Sequence, residues 1–127
     1  MKQVAVLNST GKVENGWSAE LKKRIQDELN ALKDIIIDTV PVEQIILFGS
    51  YANGRPHTDS DLDIYVVISE NADVRELDVM KLIYRAIRDK KTMPVDVVVS
   101  KENKFNKRKS APTLERQIVQ EGVVLYG

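Results

Sequence analysis

Apolar residues recur along the chain with two different spacings, and these spacings predict its helices and strands. In the first third of the chain, apolar residues spaced three and four apart form one stripe, which is typical of an amphipathic helix: Leu21, Ile25, Leu29, Leu32, Ile36 and Val40. Ser18 is a suitable N-cap for this helix, and Pro41 ends it because proline disfavours helical geometry in the preceding residue. The opposite face is polar, and we expect it to be solvated: Lys22, Lys23, Gln26, Asp27, Asn30, Lys33 and Asp34.

The middle of the chain combines two strand-like runs with a second helical stripe. Apolar and β-branched residues predict strands at about 44–48 and 61–69, separated by a polar loop over 49–60. The next helix is predicted to begin at Asn71 or Asp73. Its apolar residues have helical spacing and are expected to face the core: Leu77, Met80, Tyr84 and Ile87.

The last third of the chain predicts a strand, a helix and a final strand. Pro94 opens the run VDVVV, and Pro112 suits the first turn of a helix that Gly122 closes before a short strand at the end. The order of elements predicts a single α/β (α+β) domain over 18–127, with a small mixed β-sheet packed with helices. Residues 1–17 are an N-terminal extension of unassigned structure, in which Val4–Leu7 is a candidate strand.

Composition narrows the classes of protein to which the chain can belong. Its 127 residues include 19 basic and 19 acidic side chains, so no overall charge favours nucleic acid or a membrane surface. There is no cysteine, which excludes disulfides, thiolate metal sites and a cysteine nucleophile. The N-terminus lacks the apolar core of a signal peptide, and no apolar run approaches the length of a membrane span. We therefore expect a cytoplasmic protein.

Three aspartates lie in or beside the predicted strands, where carboxylates are unusual. Asp61 and Asp63 open the strand after the polar loop, and Asp96 lies within VDVVV. A carboxylate is costly to bury in a strand unless it is paired or bound to a metal. Because side chains alternate along a strand, Asp61 and Asp63 point to the same side, where each raises the pKa of the other. A divalent cation reverses this effect, and oxygen ligands without histidine or cysteine favour magnesium or manganese.

The Gly49–Ser50 turn at the end of the preceding strand predicts an anion site. Glycine lets the backbone approach a phosphate closely, and N–H groups at the start of a helical turn bind anions. Phosphates held there, with magnesium bridging them to Asp61 and Asp63, describe a nucleotide positioned for attack at phosphorus. Asp96 would complete the metal site and could accept a proton from an incoming hydroxyl.

The string GSYANGRPHTDSDLDIYVV, followed by VDVVV after a helix, closely resembles the signature of the nucleotidyltransferase superfamily that includes DNA polymerase β. Over roughly residues 20–126 the chain resembles a minimal nucleotidyltransferase, since its ending EGVVLYG is also similar to the last strand of that type. The resemblance implies a palm-like domain in which Gly49 and Ser50 hold the triphosphate of ATP. It also implies three carboxylate ligands for Mg²⁺, or for Mn²⁺, the last of them the base: Asp61, Asp63 and Asp96.

The resemblance also implies a partner protein. Minimal nucleotidyltransferases are commonly paired with a small helical HEPN protein and behave as its antitoxin. The implied activity is transfer of AMP from ATP to a hydroxyl, often a tyrosine, of that partner (AMPylation). Two alternatives remain open: a small-molecule nucleotidyltransferase whose acceptor site comes from a second chain, and an antitoxin that neutralises its partner by binding alone. The three aspartates argue against binding alone, because packing does not require them.

Two basic features near these motifs have more than one interpretation. Arg55 lies in the polar loop and can meet a phosphate, since its guanidinium matches phosphate geometry, but a surface position fits it equally well. Residues 101–110 have no periodicity and concentrate five basic residues: Lys101, Lys104, Lys107, Arg108 and Lys109. A mobile solvated loop is the first interpretation of this run, and a partner-docking or phosphate-attracting loop is the second. Direct nucleic-acid binding is the least favoured, given the zero net charge.

Overall fold

The computed structural model describes residues 2–3, 19–54 and 60–127 of the chain. Three features predicted from the sequence lie outside this part: the Ser18 cap, the candidate strand at Val4–Leu7, and Arg55. The described helices and strands are, in chain order, β1 (Lys2–Gln3), α1 (Ala19–Thr39), β2 (Val42–Phe48), β3 (Leu62–Ile68), α2 (Glu76–Ile87), β4 (Val95–Lys101), α3 (Glu102–Arg108), α4 (Leu114–Glu121) and β5 (Val123–Tyr126).

The described strands form one mixed sheet in the order β1-β5-β2-β3-β4. Strand β2 runs antiparallel to both β3 and β5, whereas β3 is parallel to β4 and β1 is parallel to β5. A parallel pair needs a crossover connection, and α2 provides it between β3 and β4. This arrangement confirms the predicted α/β class and the small mixed sheet packed with helices.

One face of the sheet packs against α1 and α2. The predicted alternation in β3 is confirmed, because its residues at every second position are buried in this core: Leu62, Ile64, Val66 and Ile68. The stripe of α1 is buried in the same core, with Leu21 only partly covered: Ile25, Leu29, Leu32, Ile36 and Val40. Burial of these two rows against each other fixes α1 on this face of the sheet.

The other face of the sheet carries a smaller core beneath α3 and α4. Here Tyr65 and Val67 of β3 pack with Ile46 of β2, Phe105 of α3 and Ile118 of α4. Since side chains alternate along β3, Tyr65 and Val67 share this face with the Asp63 side chain. The aspartates therefore lie on the face covered by the two C-terminal helices.

A buried polar network joins α3 and α4 to β3. The Tyr65 hydroxyl donates to Glu115 Oε2 at 2.8 Å, and Arg108 Nε donates to Glu115 Oε1 at 2.9 Å. Burial of the Glu115 carboxylate is tolerated because both of its oxygens accept hydrogen bonds, one of them from a charged group.

The structure corrects the predicted faces of α1 and α2. Lys22 is buried, not solvated, because it continues the three-four spacing of Ile25 and Leu29 toward the start of the helix. Helix α2 begins at Glu76, later than either predicted start. The buried residues of α2 are Val79, Ile83 and Ile87. This row is centred one position away from the predicted row, and Leu77 is therefore exposed.

The structure also corrects the basic segment, which is a helix and not a loop. Helix α3 has a single apolar residue, Phe105, which is buried against Tyr65 with a distance of 5.4 Å between ring centroids. A helix anchored by one aromatic contact shows no apolar periodicity, so its sequence pattern does not predict it. In α4, the N-cap is Thr113, whose hydroxyl accepts the Arg116 N–H, and Pro112 therefore precedes the first turn.

The outer edge of β4 is partly covered by side chains of α2. The Val97 N–H donates to the Tyr84 hydroxyl at 2.8 Å, and the Lys101 N–H donates to Glu76 Oε2 at 2.9 Å. Covered edge groups are less available for pairing with another strand. No helix in the described residues has the length and hydrophobicity needed to cross a lipid bilayer.

Candidate active site

Three aspartates meet at the end of the sheet where β3 and β4 begin. Asp61 directly precedes β3, and the register pairs Asp63 of β3 with Asp96 of β4. Paired residues on neighbouring strands project to the same face of a sheet, so the carboxylates of Asp63 and Asp96 are neighbours. Asp96 is exposed, whereas Asp61 and Asp63 are half-buried. The structure thus brings together the three carboxylates singled out in the sequence.

Loss of hydration, together with repulsion between the carboxylates, raises the pKa of two of these aspartates. For Asp63, loss of hydration is the main cause of the raised pKa, and the negative charges of Asp96 and Asp61 add to it. For Asp96, loss of hydration again comes first, followed by a hydrogen bond with Asp61 and the charge of Asp61. A positive charge placed among the three carboxylates would favour their ionised forms.

The chemistry of this donor set fits a hard divalent cation. Carboxylate oxygens are the ligands that Mg²⁺ and Mn²⁺ prefer, and the described part of the chain offers no sulfur from cysteine. Within residues 19–54 and 60–127, however, no three acidic or histidine side chains are already arranged around one ion position. The strands hold the backbones of Asp63 and Asp96 in register.

The turn at Gly49 lies directly beside Asp63. Gly49 has a φ of 79°, a conformation that favours glycine, and a Cβ atom at this position would overlap the carboxylate of Asp63. Its carbonyl accepts the N–H groups of Ala52 at 3.1 Å and Asn53 at 3.2 Å, which winds the following residues into a helical turn. Ser50 begins this turn and is half-buried. The backbone therefore passes close to the carboxylates only because residue 49 has no side chain.

Tyr51 connects this turn with the larger core. Its side chain is buried in the cluster beneath α1 and α2, in agreement with a packing role. Burial raises the pKa of its hydroxyl, and the negative charge of Asp61 raises it further, which places the hydroxyl within the electrostatic reach of the site.

A cleft lies between the Gly49 turn and α4, on the face of the sheet that carries Asp63. It has a volume of about 250 Å³. Its walls come from β2, the turn and one face of α4: Phe48, Gly49, Asn53, Leu114, Gln117, Ile118 and Glu121. Sequence reasoning did not identify this cleft. The spacing of Leu114, Gln117 and Glu121 along one helical face is the signal that the sequence contains, but it does not show what that face meets.

Arg55, the predicted phosphate contact, lies outside the described residues, so that its role stays a prediction.

Comparison with known proteins shows the family to which the chain belongs. The family described as Polymerase beta, Nucleotidyltransferase matches residues 30–127, which include the Gly49 turn and all three aspartates. A candidate protein adenylyltransferase of Methanocaldococcus jannaschii is 33% identical over 105 residues, covering 83% of this chain and 97% of that protein. A second candidate protein adenylyltransferase of the same organism is 45% identical over 47 residues, covering 37% of this chain and 47% of that protein.

Two solved structures have a similar fold. A candidate nucleotidyltransferase from Sulfolobus solfataricus superposes with a TM-score of 0.61 at 23% identity, covering 91% of this chain and 89% of that one. At this identity the likeness concerns the fold alone. A toxin-antitoxin structure solved with AMP-PNP has a TM-score of 0.51 at 26% identity, covering 78% of this chain and 73% of that one.

Proposed function

The chain belongs to the polymerase β nucleotidyltransferase family and is an enzyme of that class, and from this premise we propose that it transfers AMP from ATP to a hydroxyl of a partner protein. The observation that carries the proposal is the pairing of Asp63 with Asp96 beside the Gly49 turn. That arrangement sets carboxylates and an anion-binding turn within reach of one nucleotide. The similarity to candidate protein adenylyltransferases supports AMP as the transferred group.

In this proposal the Gly49–Ser50 turn binds the triphosphate of ATP. The absence of a side chain at Gly49 lets the Asp63 carboxylate lie against the backbone of the turn, and backbone N–H groups at the start of the helical turn that follows are the proposed phosphate donors. Arg55, five residues further along, is the proposed additional phosphate contact.

Asp61, Asp63 and Asp96 would hold the Mg²⁺ or Mn²⁺ cofactor of this site. A bound divalent cation supplies charge stabilisation to the phosphates and to the leaving pyrophosphate. The raised pKa values of Asp63 and Asp96 support this assignment, because loss of hydration and the neighbouring carboxylates disfavour the ionised forms and a bound cation would offset both effects.

The proposed reaction is an in-line displacement at the α-phosphorus of ATP. The acceptor oxygen forms a bond to that phosphorus, the bond to the oxygen bridging the α- and β-phosphates breaks, and pyrophosphate leaves. Asp96 accepts the proton of the acceptor hydroxyl. It is suited to this role because it is exposed, whereas Asp61 and Asp63 are half-buried.

The proposed acceptor is a tyrosine hydroxyl on a HEPN toxin, for which this chain acts as antitoxin. The resemblance of the chain, over roughly residues 20–126, to minimal nucleotidyltransferases supports this choice. The similarity to a toxin-antitoxin structure solved with AMP-PNP supports a role as antitoxin.

The test uses an extract of the source cell, incubated with this protein, magnesium and ATP labelled on the α-phosphate. The Asp61→Ala, Asp63→Ala variant and γ-labelled ATP run in parallel. A matched control, Asp38→Ala with Asp89→Ala, removes two exposed acids far from the site in sequence. We expect a protein band labelled from the α-position by the parent and by the matched control, and not by the Asp61→Ala, Asp63→Ala variant. Mass spectrometry of the band identifies the acceptor and the modified residue.

Two other results would contradict the proposal, and each would favour a different function. Label in a metabolite, with no labelled protein, would indicate a small-molecule nucleotidyltransferase. An Asp61→Ala, Asp63→Ala variant that neutralises the partner as well as the parent, at equal abundance and without label, would indicate an antitoxin that acts by binding.

A further inference from the structure

The cleft between the Gly49 turn and α4 continues directly from the proposed phosphate site. Gly49 belongs to both, since it lies against the Asp63 carboxylate and also lines the cleft. A nucleotide whose phosphates lie at the turn can therefore extend its remaining part into the cleft. The volume of about 250 Å³ is below the usual range for a whole ligand pocket and suits one part of a larger ligand.

The walls of the cleft offer apolar surface to a flat group. Phe48 lines one side, and its ring is held by an edge-to-face contact with Tyr65, with 6.5 Å between centroids and an interplanar angle of 69°. Leu114 of α4 also lines the cleft and is 40% exposed, so its apolar surface is available to a ligand. Aromatic and apolar walls of this kind stack on nucleobases.

The polar rim of the cleft, formed by Gln117 and Glu121, suits the base of a nucleotide better than its phosphates. The Gln117 amide donates a hydrogen bond to Glu121 Oε2 at 3.3 Å. An ionised carboxylate can only accept hydrogen bonds, and its negative charge repels phosphate. Glu121 therefore favours a ligand edge that carries N–H donors.

We propose that this cleft binds the base of the nucleoside triphosphate, that it prefers an aminopurine such as adenine, and that Glu121 accepts a hydrogen bond from the exocyclic amino group. Phe48 and Leu114 cover the two faces of the ring. This inference rests on the proposed function, because it takes the triphosphate to lie at the Gly49 turn.

The test measures dissociation constants, in excess Mg²⁺, for three probes: ATP, purine riboside 5′-triphosphate, which lacks the amino group, and inorganic tripolyphosphate. The variants are Glu121→Ala and Leu114→Ala, both at surface positions. Gln120→Ala is the matched control, since it changes an exposed residue of the same helix outside the cleft.

The parent and Gln120→Ala are expected to bind ATP about tenfold more tightly than purine riboside triphosphate, the effect of one hydrogen bond to a carboxylate. Glu121→Ala should bind the two nucleotides equally. Leu114→Ala should weaken both by about three- to tenfold, because it removes apolar contact with the ring. Neither variant should weaken the binding of tripolyphosphate.

An unchanged preference for ATP in Glu121→Ala would overturn the role of that residue. Unchanged nucleotide binding in Leu114→Ala would overturn the location of the base. A parent that binds neither ATP nor tripolyphosphate would instead overturn the proposed function, and this inference with it.

Discussion

At the scale of single residues, the ionised carboxylates of Asp63 and Asp96 oppose folding of the metal-free chain. The raised pKa values of Asp63 and Asp96 mean that their charged forms are disfavoured in the folded chain. The fold keeps them together because the pairing of β3 with β4 is fixed by the apolar residues that follow on both strands. The site is thus supported by packing elsewhere in the sheet.

Replacing Asp63 by asparagine is expected to stabilise the metal-free protein by about 1 kcal/mol, a typical gain when a strained functional site is neutralised. Asparagine removes the repulsion from Asp96 and Asp61 and is less costly to desolvate. Because the folded-state pKa of Asp63 is raised, the advantage of the variant should fade as pH falls and the parent carboxyl becomes protonated. Urea unfolding in EDTA measures the difference, with Asp38→Asn as the exposed control.

Magnesium should reverse the order of these two proteins. A ligand that binds only the folded state raises the free energy of unfolding with its concentration. Millimolar Mg²⁺ or Mn²⁺ is therefore expected to stabilise the parent and Asp38→Asn, and to have little effect on Asp63→Asn. A parent whose stability is insensitive to both ions would contradict the assignment of the aspartates as metal ligands.

The three aspartates of the candidate site could be singled out from the sequence because aspartates are unusual among β-branched neighbours. Buried polar residues whose partners are distant in the sequence could not be predicted in this way. Glu28 is buried because its carboxylate accepts the N–H of Thr92 at 2.6 Å and the Thr92 hydroxyl at 3.1 Å. Nothing in the local pattern of either residue indicates the other, which lies 64 positions away.

At the scale of helices and strands, Glu115 joins three elements. It lies in α4 and accepts hydrogen bonds from Tyr65 of β3 and Arg108 of α3. Burial raises the pKa of Glu115, but the hydrogen bonds from Tyr65 and Arg108 outweigh it, so that the pKa lies below its usual value of 4.5. The ionised carboxylate therefore stabilises the packing of α3 and α4 on the sheet.

Glu115→Gln is expected to lower the free energy of unfolding at pH 7 by about 2 kcal/mol, the usual contribution of hydrogen bonds to a charged group. A group whose folded-state pKa is lowered stabilises the fold above its unfolded pKa, and this contribution disappears as pH falls through the folded-state value. The difference between parent and variant should thus shrink below pH 4.5. Denaturant unfolding across pH measures it, with the exposed Glu43→Gln as control. A difference that is the same at pH 7 and pH 3 would exclude the ionic contribution.

The elements differ in how far the sequence predicts them. Helix α1 is long, and its apolar stripe repeats over several turns, so its position and the apolar part of its buried face follow from periodicity, whereas the burial of Lys22 does not. Helix α3 depends on the contact of Phe105 with Tyr65, which lies on a distant strand. Tertiary packing of this kind overrides local pattern, and it also hides the cleft, whose walls come from β2 and α4.

At the scale of the whole molecule, charge is balanced but unevenly distributed. The chain has 19 basic and 19 acidic side chains. The short helix α3 and its C-cap residue Lys109 nevertheless concentrate exposed cations on the face of the sheet that carries the aspartates. Some of these cations have local contacts. Arg108 pairs with Glu115 at 2.9 Å, Lys104 lies 3.7 Å from Glu76, and Lys109 lies over the Phe105 ring. Although the Glu115 carboxylate is buried, the cations in these contacts lie at the surface. Helix α3 therefore presents its basic side chains to solvent, where a partner could contact them.

The combined substitution of Lys104, Lys107 and Lys109 by glutamine tests whether this basic surface attracts the protein acceptor. Complementary charge accelerates association and is screened by salt. We expect the variant to lose about tenfold in the rate of AMP transfer at low ionic strength, and to lose most of its salt dependence.

The affinity for ATP should stay unchanged, because the cleft and the Gly49 turn do not include these residues. The matched control replaces three exposed lysines elsewhere, Lys23, Lys81 and Lys90. Equal transfer rates for both triple variants would mean that α3 supports the fold of the sheet and does not recruit the acceptor.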